Sequence, residues 1–309
     1  MSQALSRGDR APKKVLITGA SGFIGRALCV YLRGRGYAVR ALTRASSSWT
    51  DLDGVERVIG DMQDLESLKA ATSGVDWVAH LAAAKSDEAD SDKTNVLGAR
   101  NLLDACRASG VGFIVNVSTQ SAKLQRKGTY ALTKHAADET FRESGFPVTT
   151  LRSSLVYGDL TGGVFASLVK FAKLPIIPVM GAGTAPHWPI HVEDLGRAIE
   201  IAAMRPSTRG EIYEVGGADQ ASTNRLLDMI SERLGRRSFK LHIPVALGLF
   251  MAKVFSILPR PPFTRSNVLG SNEHVTMDVA RFIHDFEFTP RPLTQGLKEL
   301  FESAGSRAG

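Results

Sequence analysis

Tyr130 and Lys134 stand four residues apart in the segment TYALTKHAADE, whose alanine-rich composition favours a helix. One turn separates them, so both side chains lie on one helix face. A free tyrosine titrates near about 10, too high for a base at neutral pH. An ammonium beside it favours the phenolate and lowers that value, as a positively charged nicotinamide ring would. The pair therefore describes a device for moving a proton to or from an alcohol or ketone oxygen. The same spacing occurs on amphipathic helices that do no chemistry. Position distinguishes this pair, because a strand at 112–117 (GFIVNV) ends on Ser118 and Thr119 shortly before it. On composition alone those two hydroxyls serve equally well as strand-end caps.

The element that would hold a cofactor beside this pair is the stretch at 15–25, VLITGASGFIG. A β-branched run ends at Gly19, Gly22 and Gly25 follow, and residues 23–32 have the apolar spacing of a helix. This predicts a strand, a tight turn and a helix whose first N–H groups face open space. Gly19 permits the turn, Gly22 lets backbone approach a phosphate, and Gly25 lets helix pack on strand. A helix N-terminus with unpaired donors suits a pyrophosphate.

Further strands are expected at Ala38–Thr43, Val55–Ile59, 75–80 and 147–151, alternating with helices at 64–71, 92–109 and 128–144. Such alternation implies a parallel sheet covered on both faces, with its ligand outside the carboxyl ends of the strands. The fold class is α/β, a Rossmann-type doubly wound parallel sheet with a smaller, interleaved C-terminal substrate lobe. Residues 13–157 and 186–217 are assigned to the dinucleotide-binding domain, 158–185 and 218–305 to the lobe, and 1–12 to a disordered N-terminus.

Composition is ordinary for a globular chain of this length, and the net charge of +7 suits an anionic ligand such as a nucleotide. No long basic stripe speaks for nucleic acid. Cys29 and Cys106 fall on apolar helix faces without metal-ligand spacing, and His187, Trp188 and His191 lack a companion cysteine, so packing is expected and metal is not. The longest apolar stretch, 243–258, is broken by Pro244 and Lys253 and is too short for a transmembrane segment. It leaves core packing, a homodimer contact or a membrane-surface contact open. A cytoplasmic location is expected.

The chain resembles the short-chain dehydrogenase/reductase superfamily in its extended or atypical NAD(P)-dependent epimerase/dehydratase branch. The resemblance rests on TGASGFIG (18–25), GD (60–61), HLAA (80–83), Asn95 with Gly98, NVST (116–119), YALTK (130–134), LRSSLVYG (151–158) and HVEDL (191–195). It implies that Tyr130 is the general acid/base, that Lys134 holds the nicotinamide ribose, and that Thr119, rather than Ser118, hydrogen-bonds the reacting oxygen. It further implies cofactor contacts from Gly19, Ser21, Gly22, Phe23, Ile24, Gly25, Arg44, Asp61, Met62, Leu81, Ala82, Ala83, Ser118, Tyr130 and Lys134. Substrate contacts are expected at Lys85, Asn95 and Tyr157, although Asn95 and Asp194 suit structural roles as well. The last third matches loosely, in the manner of atypical members that include relatives of a respiratory complex I accessory subunit.

The departures from the family pattern are informative. The second strand ends on Thr43, where an aspartate would bind a ribose 2′-hydroxyl; Arg44 follows and Arg40 is near. A guanidinium without a carboxylate favours a 2′-phosphate, hence NADP(H) over NAD(H). The Asp-Glu pair of sugar-nucleotide 4,6-dehydratases is replaced by Gln120 and Ser121, neither an acid at neutral pH. Ser153 stands where the family has proline. The expected activity is an oxidoreductase or epimerase acting on a secondary alcohol or ketone, with nucleotide sugars as the family's substrate class. The rival is a non-catalytic dinucleotide-binding redox sensor or assembly subunit.

Overall fold

A computed structural model describes residues 13–84, 92–124, 129–257, 263–272 and 274–306. The expected disorder of residues 1–12 and the substrate contact at Lys85 fall outside the described residues. The strands are β1 Lys14–Thr18, β2 Ala38–Thr43, β3 Val55–Ile59, β4 Trp77–His80, β5 Phe113–Thr119, β6 Val148–Ser153, β7 Val156–Tyr157, β8 Ile176–Met180, β9 Pro186–His187, β10 Ile190–His191, β11 Ile212–Val215, β12 Ala221–Ser222 and β13 Phe239–Ile243. The helices are α1 Phe23–Gly34, α2 Leu65–Thr72, α3 Gly98–Ser109, α4 Thr129–Glu143, α5 Gly163–Ala172, α6 Val192–Met204, α7 Thr223–Arg233, α8 Val245–Phe255, α9 Arg265–Gly270, α10 Val279–Phe286 and α11 Leu293–Ser306.

Seven strands form one parallel sheet in the order β11-β6-β5-β4-β1-β2-β3. The order reverses between β1 and β4, which is where a doubly wound sheet opens a crevice at its carboxyl edge. Side chains alternate across the pleat, so Val15 and Ile17 pack with α1, α6 and α10 on one face, while Leu16 packs with α2, α3 and α4 on the other. Both layers bury their side chains: Leu28, Cys29 and Leu32 of α1 and Leu102 and Cys106 of α3 are fully buried. Each large aliphatic side chain so buried contributes about 2 kcal/mol. Burial also pushes both thiols up to about 12, which leaves them inert packing groups.

A third core joins Tyr157, Phe165 of α5, Val179 of β8, Leu226 of α7 and Leu297 of α11 in a C-terminal lobe. The division between sheet and lobe is less clean than the sequence suggests. Met277, Val279, Phe282, Phe286 and Phe288, placed in the lobe by the expected boundaries, pack on the central sheet with Tyr213 of β11. Arg291 fastens this return segment: its backbone N and Nε both donate to Asp194 Oδ2 at 3.0 Å, and it also pairs with Glu193 and Glu299. Asp194 is thus a clamp between α6 and the C-terminal segment. Among the described residues no helix is long and apolar enough to cross a membrane.

Candidate active site

The glycine turn is built as the spacing predicts. Gly19 sits at φ +68, and a Cβ there would lie 2.7 Å from Ala82 N, so the ends of β1 and β4 approach too closely for any side chain. A Cβ on Gly25 would lie 2.3 Å from Gly19 O, which brings α1 directly onto the turn. Gly22 is exposed and caps α1 with no side-chain hydrogen bond, and the first turn carries no acidic residue. Its donors are therefore free of side-chain partners and suit a diphosphate. The cradle that the glycines leave fits a dinucleotide. Ser21, Phe23 and Ile24 are half-buried around it, and Phe23 packs against Gly162 and Gly163 at the start of α5.

Thr18 ties the β1 and β4 ends together. Its Oγ1 accepts from Leu81 N and Ala82 N, each at 3.2 Å, and lies 2.8 Å from His80 Nδ1. With two N–H groups already aimed at this oxygen, its own hydrogen goes to His80, whose Nδ1 is then the unprotonated nitrogen. Burial lowers the His80 pKa from 6.5 to about 3, and the Lys134 charge adds to the effect. Below pH 6.5 an unfolded chain binds a proton here that the folded chain refuses. Stability therefore falls as pH drops from 6.5 toward 3, by about 1 kcal/mol per unit. Urea midpoints measured from neutral pH downward are expected to fall less steeply for His80→Asn than for the wild type.

The sequence expectation assigns the cofactor's adenosine end to the ends of β2 and β3 and the loop after β3. Thr43 is buried and its Oγ1 accepts from Arg57 Nε at 3.0 Å, while Arg44 is exposed just beyond. Arg40 is not at this edge: it donates to Ala71 O and Ser73 O and pairs with Glu56. Arg57, which sequence spacing did not single out, takes its place beside Arg44. Asp61 Oδ1 accepts from Gln63 N at 2.9 Å. Met62 is buried beneath Gly98, where a Cβ would lie 2.9 Å from the Met62 Cβ. Leu81, Ala82 and Ala83 are half-buried along the strand end.

On α4, Tyr130 and Lys134 share their face with Asp138, one further turn along. Lys134 is buried and its Nζ donates to Val117 O of β5 at 3.3 Å. Asp138 is completely buried; it accepts from Asn116 Nδ2 (3.1 Å), Ser118 Oγ (2.9 Å) and Arg152 Nε (2.9 Å). The Ser118 hydroxyl is committed to this carboxylate. Thr119 is half-buried, and its Oγ1 accepts from Ser121 N at 3.2 Å and makes a long 3.4 Å contact with Ser121 Oγ. Gln120 has a buried Oε1 with no partner among the described residues. Ser153 Oγ donates to Ser118 O at 3.1 Å, so the residue standing in for proline ties β6 to β5.

Electrostatically the site differs from the sequence expectation. Burial, and then the Asp138 charge, push the Tyr130 pKa above its ordinary value; Lys134 is not among the groups that shift it. Burial lowers Lys134, and Asp138 opposes that shift. The reason is geometric: the ammonium is aimed at the β5 backbone, while the buried Asp138 carboxylate, although paired with Arg152, still acts on the phenol.

Two of the three expected substrate positions take other places. Asn95, in the π-helical turn Lys93–Leu97, accepts from Ala84 N at 2.9 Å and donates to Thr133 Oγ1 at 2.8 Å, which pins the segment after β4 to α4. Tyr157 has no exposed surface; its ring packs on Phe165 and His191, and its hydroxyl lies against Gly296. It is a core residue of the lobe. His187 bonds Thr223 Oγ1 at 3.0 Å, and His191 caps α6. No group of metal-ligating side chains occurs among the described residues.

A parallel sheet reversed at β1/β4, with a glycine turn there and a helix N-terminus beyond it, defines a dinucleotide-binding protein of the Rossmann class. The chain belongs to the NAD dependent epimerase/dehydratase family, whose model matches residues 15–216. It is 24% identical to the 2-alkyl-3-oxoalkanoate reductase of Stenotrophomonas maltophilia, over 95% of this chain and 100% of that one. It is 30% identical to sterol demethylase protein B of Methylococcus capsulatus, over 81% of this chain and 83% of that protein. Among solved structures it resembles the UDP-glucose 4-epimerase of Thermotoga maritima, solved with UDP-glucose. The TM-score is 0.75 at 21% identity, covering 96% and 100% of the two chains, a likeness that concerns the fold.

Proposed function

We infer that the protein is an NADP(H)-dependent oxidoreductase that interconverts a ketone and a secondary alcohol, working as a reductase. The observation that carries this reading is the stripe of Tyr130, Lys134 and Asp138 on α4, of which Lys134 and Asp138 reach the carboxyl end of β5. Burial and the Asp138 carboxylate keep the Tyr130 phenol protonated at neutral pH. A protonated phenol is ready to donate to a carbonyl oxygen as that oxygen gains negative charge. Thr119 has a hydroxyl only weakly engaged and serves as a second donor to the same oxygen. Lys134, held by Val117 O, brings a positive charge beneath the site. The nicotinamide cofactor, when bound, supplies the hydride.

Gly19, Gly22 and Gly25 with the first turn of α1 would hold the cofactor's diphosphate, and Asp61 and residues 81–83 its sides. Arg44 and Arg57 supply two guanidinium groups where a 2′-phosphate would lie. Elimination chemistry is disfavoured because Gln120 and Ser121 provide no acid. A non-catalytic dinucleotide-binding role is the competing reading, and turnover separates the two.

The test is oxidation of NADPH and of NADH with a carbonyl panel that includes 2-alkyl-3-oxoalkanoates, whose reduction names one relative, and nucleotide sugars. NADPH-dependent turnover is expected. Arg44→Ala and Arg57→Ala are each expected to cut the preference for NADPH by about tenfold, the loss of one charge-assisted contact of about 1.5 kcal/mol. Tight cofactor binding without turnover of any substrate would favour the binding-only role. An unchanged cofactor preference in both variants would remove the 2′-phosphate assignment.

A further inference from the structure

Two physical properties coincide in one part of the lobe. Between residues 233 and 272 the chain has seven Lys or Arg and no Asp or Glu, so this segment alone carries a charge equal to the +7 of the whole chain. α8 lies at its centre and is apolar around most of its circumference, yet it buries only Gly248 and Ala252. Gly248 meets Met180 and Val268. On the opposite face stand Leu247, Phe250 and Val254, and just beyond the helix Ile257, at 49%, 64%, 48% and 85% exposure. Their spacing of three and four residues draws one continuous stripe. β13, which leads into α8, adds exposed Phe239 and Leu241, beside exposed Ile176 of its partner β8.

Cations border this apolar surface. Lys253 and Arg265 line a groove with Phe250 and Phe263. Arg233, Arg236 and Arg237 precede β13, all exposed. Apolar patches of this kind on a soluble surface mark an interaction site. A helix with an apolar outer stripe, basic flanks and too few residues to span has the make-up of one lying in a lipid headgroup layer.

We propose that the face formed by α8 and β13 seats the protein on an anionic phospholipid bilayer. Charge selects this occupant. Lys240 of β13 is paired with Asp228, but exposed Arg233, Arg236, Arg237, Lys253 and Arg265 leave the face positive, so a second copy docking through it would bring like charges together, whereas anionic headgroups neutralise them. The apolar stripe supplies burial in the acyl boundary, and the flanking cations supply the attraction. This surface is independent of the enzymatic reading. The face is joined to the candidate site by packing, since α9 contacts α8 and Leu124, at the end of the turn following Thr119, lies beside Gly270 of α9.

The experiment is co-sedimentation of the full chain with vesicles of phosphatidylcholine alone and of equimolar phosphatidylcholine and phosphatidylglycerol. Binding is expected to the mixed vesicles, to weaken with salt, and to be slight for phosphatidylcholine alone. Arg236→Glu with Arg237→Glu is expected to weaken partitioning at least about tenfold, and Phe250→Asp with Val254→Asp to abolish it. These side chains are exposed, so each variant is expected to keep the wild-type unfolding midpoint and dinucleotide affinity. Failure of the wild-type chain to sediment with mixed vesicles overturns the proposal. So does undiminished binding by both folded variants, or a wild-type dimer that Phe250→Asp dissociates.

Discussion

Tyr130→Phe is expected to lower carbonyl reduction by about 10²- to 10⁴-fold, the usual contribution of a positioned proton donor. NADPH affinity is expected to stay nearly unchanged. The substitution removes one oxygen and keeps the half-buried ring, so stability is expected to change little. Lys134 keeps its bond to Val117 O in the variant, because that contact does not pass through the phenol. Steady-state turnover together with a fluorescence titration of NADPH checks both halves. The wild-type pH profile carries the same information. Reduction needs the phenol protonated, and burial with the Asp138 charge holds its pKa above the ordinary tyrosine value. The rate is therefore expected to be level through neutrality as far as Tyr130 is concerned, and to fall only on the alkaline side. Retained turnover in Tyr130→Phe would assign the proton to another donor.

The half of the fold that binds nucleotide was legible because its signals are local. Ala38–Thr43 and Val55–Ile59 form the expected strands with the expected limits. Each is a short apolar-rich segment carrying β-branched residues, and Asp64 caps the next helix through Glu66 N and Ser67 N. The glycine turn was legible because close approach admits no other residue type. What failed depends on contacts between distant segments. Phe282 and Phe286 read as lobe residues, yet they pack on Tyr213 and on the sheet. The 243–258 stretch reads equally as core, and only the packing of Gly248 and Ala252 turns the rest of α8 outward. Along the chain Arg40 lies nearer Arg44 than Arg57 does. Strand pairing sends one to the carbonyls after α2 and the other to Thr43. Asp138 carried a usable signal, since it continues the four-residue spacing of Tyr130 and Lys134. One of three carboxylates on an amphipathic helix reads as solvated until burial is seen.

Asp138→Ala is expected to cost the fold about 3–5 kcal/mol, the loss that follows when one member of a buried ion pair is removed. Arg152 would lose its carboxylate partner with only 13% of its side chain exposed, and the Asn116 amide and Ser118 hydroxyl would each lose an acceptor. These groups lie on two neighbouring strands, so the damage falls on the β5/β6 edge that presents Thr119. Asp138→Asn has the same shape and keeps an acceptor for Ser118, and is expected to lose less. Urea-induced unfolding compares the two. The asparagine variant also separates support of the fold from tuning of the site. Because the Asp138 charge raises the Tyr130 pKa, removing it lowers that pKa, and the alkaline fall in reduction rate is expected to begin at lower pH. A carboxylate that served packing alone would leave the profile where it was once the variant is shown to be folded. An unmoved alkaline limb in a folded Asp138→Asn protein would confine Asp138 to structure, and would locate the control of Tyr130 in burial alone.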